Sequence, residues 1–569
     1  MSSPEVDAVI IGSGPAGSTA ADVLTAAGWS VVVLEKGRNH LLSLDAPYVP
    51  LGHVSNDEIK FMRRHFLGPD PFLEPRTYRR HDTDGDRLFS GDVNNLPSTV
   101  GGGGFHADGK LPRFRAVDFK THSELGPIDG ADVADWPFEY DEMEPYYTEA
   151  ENLVGVAGKA GANPFAEWRS GEYPMPPGAD MYGAVLTTEA AERLGYHPYA
   201  APTGVNSVPY DGRPACNNCG FCAFYGCPIE AKGDPVAPLR RALRTGRCDV
   251  RPESYVTEIL LDATGKRARG VRYLDTNMTP QEVSADVVVL AGGAFESPRL
   301  LLRCGVGNSS GLVGRYLMFH FQTLVVASFP FRLHAHKGRA VTHLHDDHMI
   351  PDDDSRAFAR EHDLPYFRAG IVEHGGAGFP ILESVHLPPG EWHSKLMLES
   401  PMRDRLLAFT VQGEDVPQIT NRIDLDPKIK DVYGEAAGRA TYNLHPHELV
   451  ASKYYAPKLE EVMRAAGAEW TIVAHSPPIE GEGAAGALGE ASASKHIMGT
   501  LRMGTDPTTS VVDPMQRLWD VPNVVCTDSS VFPTSTGYGP TLTLVALAIR
   551  ACRDLANLPP LRSDRSSTA

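Results

Sequence analysis

The stretch Val6 to Gly37, V-D-A-V-I-I-G-S-G-P-A-G-S-T-A-A-D-V-L-T-A-A-G-W-S-V-V-V-L-E-K-G, decides the fold. An apolar run leads into a glycine turn, a small-residue helix and a second apolar run, which is the order of a strand-turn-helix-strand unit. Gly12, Gly14 and Gly17 stand at G-x-G-x-x-G spacing, with Pro15 and Ala16 inside the motif. The first glycine permits the tight turn, the second lets a pyrophosphate approach the backbone, and the third lets helix pack on strand. Glu35 ends the second run, where a carboxylate binds ribose hydroxyls, and Lys36 follows it. The unit predicts a dinucleotide site in an α/β domain. By itself it does not separate FAD from NAD.

The opposite end of the chain carries a second site. H-I-M-G-T-L-R-M-G (His496 to Gly504) is followed by T-D-S-S-V-F-P-T-S-T-G-Y-G-P-T-L-T, in which Pro540 and Thr541 open an apolar helical stretch. A titratable imidazole thus stands among glycine turns ahead of a helix start, whose positive end favours an anion.

Together these stretches resemble the glucose-methanol-choline (GMC) family of FAD-dependent oxidoreductases. The resemblance continues through V-G-G-G-G-F-H-A-D-G-K-L-P-R-F (Val100 to Phe114), D-W-P-F-E-Y-D-E-M-E-P-Y-Y (Asp135 to Tyr147), A-G-G-A-F-E-S-P-R-L-L-L-R-C-G-V-G (Ala291 to Gly307) and G-E-D-V-P-Q-I-T-N-R-I-D-L-D-P (Gly413 to Pro427). The nearest flavour is the pyranose 2-oxidase and gluconate-dehydrogenase branch.

The resemblance implies FAD as cofactor and an α/β (α+β overall) fold. A Rossmann-like FAD-binding domain would comprise residues 1–120, 229–328 and 485–560, with a discontinuous sheet-plus-helix substrate domain at 121–228 and 329–484 and a tail at 561–569. It further implies flavin contacts at Gly102, Gly103, His106, Val256 (through its backbone), Gly292, Asp528, Ser529, Pro540 and Thr541. His106 falls where pyranose 2-oxidase-like sequences join histidine covalently to FAD, and bonded, contacting and merely packed histidines all remain open. His496 stands in the family's H-x-x-G-T spacing. That makes it the expected base for a substrate hydroxyl, with the hydride passing to flavin N5.

One position departs from the pattern. The residue before P-T-L-T is His or Asn in the family and Gly539 here, so a side-chain partner for His496 is missing there. Tyr538 is adjacent, either as a phenol donor or as a packed aromatic, and a residue from the substrate domain or a water is the other candidate for the missing partner. The expected site is therefore one-sided. A flavin-bound lyase or other non-oxidative reaction stands as the alternative to alcohol oxidation.

Composition limits the partners. The chain has 569 residues, 42% hydrophobic and 22% charged, enough for one large core or two joined ones. A formal charge of -19 argues against nucleic acid or an anionic membrane. The expected partners are a small-molecule substrate and oxygen or another electron acceptor. The run T-L-T-L-V-A-L-A-I-R-A-C is interrupted by Arg550 and reads as a core helix, not a membrane span. No secretory signal precedes the first strand, so the expected compartment is the cytoplasm.

Four of the 8 cysteines cluster as Cys216, Cys219, Cys222 and Cys227. Their spacing is compatible with iron-sulfur ligation, with disulfides or another metal, and with reduced structural thiols. H-L-H-D-D-H-M-I-P-D-D-D (His343 to Asp354) lacks a tight ligand spacing and reads as a solvated loop, as do His445 and His447, so no metal is assigned. Gly481 to Glu490 reads as a surface loop or a hinge.

Overall fold

The computed structural model describes residues 5–39, 73–85, 87–89, 97–220, 222, 226–227, 229–233, 236–335, 337–375, 390–476 and 494–563. The glycine-rich stretch at 481–490 lies outside them.

The strand Val6–Ile11 runs parallel to Val31–Leu34 on one side and to the second half of Pro280–Leu290 on the other. Cys248–Arg251 extends this parallel sheet past Val31–Leu34, and Val524–Cys526 pairs with residues 288–290. Parallel neighbours need a crossover, and the helix Pro15–Ala26 supplies the first. Pro280–Leu290 is long enough to serve two sets of partners. Its first residues run antiparallel to Ala268–Leu274, which in turn pairs with Tyr255–Leu261. The near-continuous Val, Ile and Leu of the central strands are buried, as a sheet covered on both faces requires. Pro15–Ala26 packs against both Val236–Arg244 and Thr541–Leu555. The last of these is the expected core helix, buried from Leu542 to Cys552, and Arg550 leaves it by bonding Glu142 at 2.6 Å.

A second sheet is antiparallel, in the order Trp470–Ser476, His320–Ser328, Leu406–Glu414, Val372–His374, His343–His345, Tyr199–Ala200. The helix Pro446–Ala465 lies across its first three strands and buries Val450, Tyr455, Leu459 and Met463 against Val325 and Phe409. A smaller sheet joins Arg422–Lys430, Ala436–Thr441, Arg76–Arg79 and Arg87–Phe89.

Two histidine stretches expected on solvated loops are buried instead. His345 and Asp346 are each 1% exposed, and His345 Nδ1 meets His374 Nε2 at 2.8 Å while His374 Nδ1 meets Thr187 Oγ1 at 3.0 Å. Burial pushes His374 down to about 3 and His348 to about 4, so these imidazoles are neutral. Neutral rings can satisfy one another in a dry sheet edge, which is why a polar-looking sequence hides core. His447 is fully buried and accepts the Arg368 backbone N–H at 3.1 Å, while His445 caps the helix Pro446–Ala465.

The parallel sheet's C-terminal segment and the second sheet meet at Asp415. Its Oδ2 accepts from the Phe319 backbone N–H at 2.8 Å and the Tyr442 hydroxyl at 2.6 Å. Its own N–H donates to Ser535 Oγ at 2.9 Å, and that hydroxyl donates back to the Asp415 carbonyl at 2.8 Å. Nearby, the fully buried Arg368 guanidinium bridges Asp118 at 2.5 Å and Glu414 at 3.2 Å.

Arg368→Met leaves both carboxylates buried without their cation. It is expected to destabilise the protein by about 3–5 kcal/mol, read from the urea midpoint of the FAD-loaded enzyme. Burial raises Asp415 from 3.8 to about 6, so the folded chain holds this proton more tightly than the unfolded one. The resulting stability is full below pH 3.8 and is lost as pH rises through 6. A thermal midpoint measured across that window should fall with pH in the wild type and flatten in Asp415→Asn; parallel curves would refute the assignment.

Candidate active site

The glycine turn is shaped by backbone contacts. Gly12 has φ +104°, and a Cβ there would stand 2.5 Å from the Ala291 carbonyl oxygen. A Cβ on Gly17 would stand 2.0 Å from the Gly12 carbonyl oxygen. Gly14 differs: its nearest neighbour would be Gly102 Cα at 4.0 Å, so this glycine faces open space opposite the 3-10 turn Gly102–Phe105. Neither Pro15–Ala26 nor Thr541–Leu555 carries a side-chain cap, which leaves two helix N-termini with their N–H groups available. The cradle therefore fits a dinucleotide's phosphates.

Glu35 lies over this turn, where Oε2 accepts from Ser13 N–H at 2.9 Å and Ser13 Oγ at 2.6 Å, and Oε1 accepts from Gly37 N–H at 2.7 Å. Burial raises its carboxyl above the usual range. Lys36 turns away to Glu74 and Glu296. Ser254 N–H donates to the Glu35 carbonyl at 2.8 Å, which brings Val256 and its bulged strand to the same end of the sheet. Asp528 accepts five internal bonds, from Gly293 N–H, Ser297 Oγ, the N–H and hydroxyl of Ser530, and the Cys526 thiol. It thereby ties Gly292 and the helix after it to the C-terminal segment. Ser529 Oγ donates to the Ile497 carbonyl at 2.6 Å, one residue from His496.

His496 is not alone. Its Nδ1 lies 2.9 Å from His320 Nδ1, and the two rings stand edge to face at 83°. His320 Nε2 faces the Ser535 carbonyl at 3.3 Å. A carbonyl only accepts, so His320 Nε2 carries the proton and its Nδ1 the lone pair. His496 Nδ1 must then donate, leaving the lone pair of His496 on Nε2. Burial, His320 and Lys110 together hold His496 well below the usual imidazole range, and burial pushes His320 down to about 4. The pair is neutral at physiological pH. This corrects the one-sided site expected from Gly539: the partner comes from the second sheet.

The Nε2 edge faces the glycine. A Cβ on Gly539 would lie 3.7 Å from His496 Cε1, 3.9 Å from Nε2 and 4.0 Å from the Lys110 carbonyl oxygen. Tyr538 points elsewhere, its hydroxyl donating to Asp346 Oδ2 at 2.5 Å and its ring stacked on Phe114. Asp346 also accepts from Asn163 at 2.9 Å. Burial opposes the charge on Lys110, but Asp108 at 3.2 Å and Glu373 outweigh it and hold the ammonium above its ordinary range. Gln412 donates to the same Glu373 carboxylate. Burial pushes Lys495 down to about 8, with Asp108 opposing.

His106 is 4% exposed at the end of the Gly102–Phe105 turn. Lys232 fastens that turn by donating to the carbonyls of Phe105 (2.9 Å), Ala107 (2.5 Å) and Cys222 (3.3 Å). All eight cysteines are free thiols, which sets aside the disulfide reading of the four-cysteine run, and burial pushes Cys222 up to about 12. Among the described residues no three His, Cys, Asp or Glu side chains converge at metal-binding spacing. A solvent-open cleft of about 530 Å³ is lined by Phe105, Arg213, Cys227, Glu230, Lys232 and Arg240 among others. None of His320, His496 or Gly539 borders it, so the imidazole pair locates the chemistry better than the cleft does.

Sequence reading missed His320, Lys110, Glu373 and Gln412. His320 left one signal: it opens an apolar strand, where an imidazole without a partner is costly. The others have no local signature.

Comparison with known proteins gives the family. Models for the two GMC oxidoreductase regions match residues 132–322 and 417–548, and an FAD binding domain model matches residues 5–43. The gluconate 2-dehydrogenase flavoprotein of Pantoea cypripedii is 28% identical over 95% of this chain and 92% of its own. The 2-methyl-1,2-propanediol dehydrogenase of Mycolicibacterium austroafricanum is 30% identical over 97% and 95%. Formate oxidase of Aspergillus oryzae RIB40 shares the fold, with a TM-score of 0.61 at 14% identity over 97% of this chain and 98% of that one. The chain belongs to the GMC oxidoreductase family and is an FAD-dependent oxidoreductase acting on CH-OH groups.

Proposed function

We propose that this protein oxidises an alcohol group of a sugar, glycoside or polyol-like compound to a carbonyl, with His496 taking the hydroxyl proton at Nε2. The Nδ1 to Nδ1 contact with His320 carries the reading, because it leaves the free lone pair of His496 on the edge beside Gly539. The relatives named for gluconate and for a propanediol support the substrate class. Bound FAD supplies the hydride acceptor, and oxygen or another acceptor takes the electrons onward. In this reading Gly12, Gly14, Pro15, Ala16 and Gly17 hold the phosphates and Glu35 the ribose. Pro540 and Thr541 present helix N–H groups where negative charge develops.

His496 and His320 divide the work. His320 is a positioning residue: it never meets the substrate but fixes the tautomer and the ring plane of the base, as an outer hydrogen-bond partner does for other imidazoles. Ser535 fixes His320 in turn. Burial keeps the pair neutral, so the base is ready without an acid-range titration. The lyase alternative drew its force from an unpartnered His496, and His320 removes that motive.

His496→Ala is expected to slow anaerobic flavin reduction by about 10²- to 10⁴-fold, the usual contribution of a general base. His320→Ala should slow it less, because it frees the ring and tautomer of the base, and it should bring no acid limb, because burial and Lys110 still hold His496 below the usual imidazole range. Reduction at the wild-type rate in His496→Ala would overturn the mechanism. His106 is assigned to the flavin edge, and a mass measurement separates a covalent bond there from a contact. Acid-denatured protein should retain the flavin mass and His106→Ala should release it; flavin that leaves the denatured wild type reduces His106 to a contact.

A further inference from the structure

We propose that the space left by Gly539 is a second recognition point, and that the substrate is a 1,2-diol whose neighbouring hydroxyl donates to the Lys110 carbonyl oxygen. This inference rests on the reading of His496 as the base and narrows its substrate class.

Three observations converge. Gly539 has no side chain, and an atom at its Cβ position would touch only the His496 edge and the Lys110 carbonyl, all at 3.7–4.0 Å. Those are ordinary contact distances, so a group the size of a methyl fits there without displacing its neighbours. The Lys110 carbonyl oxygen lies 4.0 Å from that position, and no donor among the described residues reaches that oxygen. A substrate group entering here therefore meets two acceptors, His496 Nε2 and Lys110 O. A simple alcohol offers one donor and leaves the other acceptor dry. A 1,2-diol offers two.

The local charges select the kind of donor. Lys110 and Lys495 already bring two ammonium groups to the Asp108 carboxylate. Glu373 pairs with Lys110 as well, so both carboxylates already have their counter-charge; an ammonium on the substrate gains no partner there, whereas a neutral hydroxyl needs none. The reaction balances as before: the oxidised carbinol loses its proton to His496 and its hydride to FAD, forming C=O, while the neighbouring hydroxyl stays intact and leaves with the product. The product is an α-hydroxy carbonyl compound.

The test is anaerobic flavin reduction by the FAD-loaded enzyme with matched pairs of three to six carbons, each a 1,2-diol and the mono-alcohol of the same skeleton, with the corresponding amino alcohol as a third arm. The diol should exceed both by about ten- to a hundredfold in reduction efficiency, the discrimination expected when a site's polar group loses its donor. Gly539→Asn supplies a side-chain amide to the same space. It should raise the mono-alcohol rate and shrink the diol preference at least about tenfold, within that same discrimination range. Gly539→Ala fits without strain and should weaken diol binding without helping the mono-alcohol; FAD content by absorbance confirms that both variants are loaded.

Equal rates for diol and mono-alcohol, an amino-alcohol preference, reduction by none of the panel, or an unchanged preference in Gly539→Asn would each overturn the proposal. Failure of the base reading looks different. There, His496→Ala reduces with the diol at the wild-type rate, whatever the diol preference.

Discussion

A single buried carboxylate sets the geometry of the active site. Asp415 accepts the Phe319 N–H and so fixes His320, the next residue. Through its own N–H and carbonyl it also holds Ser535, whose carbonyl receives His320 Nε2. The ring that orients His496 is therefore clamped at both ends by one residue on the second sheet. His496 is fixed from the other direction, by the mutual backbone bonds of Met318 and Met498 at 3.0 Å and by Gly499 N–H on the Ser529 carbonyl. Rigid backbone on both sides gives a base that needs no rearrangement before it acts.

The electrostatic design separates neutral from charged groups. The imidazole pair is stripped of water and kept uncharged, while Lys110, Glu373 and Asp108 form a compact ion cluster a few ångströms away. Charge near the reaction space is thereby already balanced, and Gln412 adds a further donor to Glu373. A buried cluster of this kind contributes little to stability. Its value lies in setting a local field at low dielectric, where the same charges act far more strongly than in water.

What could be read in the sequence follows from what is local. The glycine turn, Glu35 and the helix at Thr541 are encoded by residues close in the chain, and the structure forms the turn with Glu35 bonded to it and the helix where the sequence predicts one. His496 was equally visible through its H-x-x-G-T setting. Its partner was not, because His320 stands 176 residues away and reaches it only when a strand of the second sheet docks. Gly539 misled for the same reason: a vacancy at one position says nothing of a side chain arriving from another element. The histidines at 345 and 447 were misjudged because hydropathy treats imidazole as polar, whereas a buried neutral ring with a partner is at home in a core.

The parallel sheet has a temporal consequence. Val524–Cys526 adds to residues 288–290, and Thr541–Leu555 packs on Pro15–Ala26, so the dinucleotide cradle is closed by segments made long after its glycine turn. A nascent chain emerging from the ribosome carries the glycine turn from the start but exposes it, with its apolar partners, until synthesis passes residue 555. Such long-range closure is slow and leaves unpaired strand edges open to wrong contacts. Completion of the cofactor site thus waits for residues 524–555, and a chain cut short of them lacks the strand and helix that close the cradle.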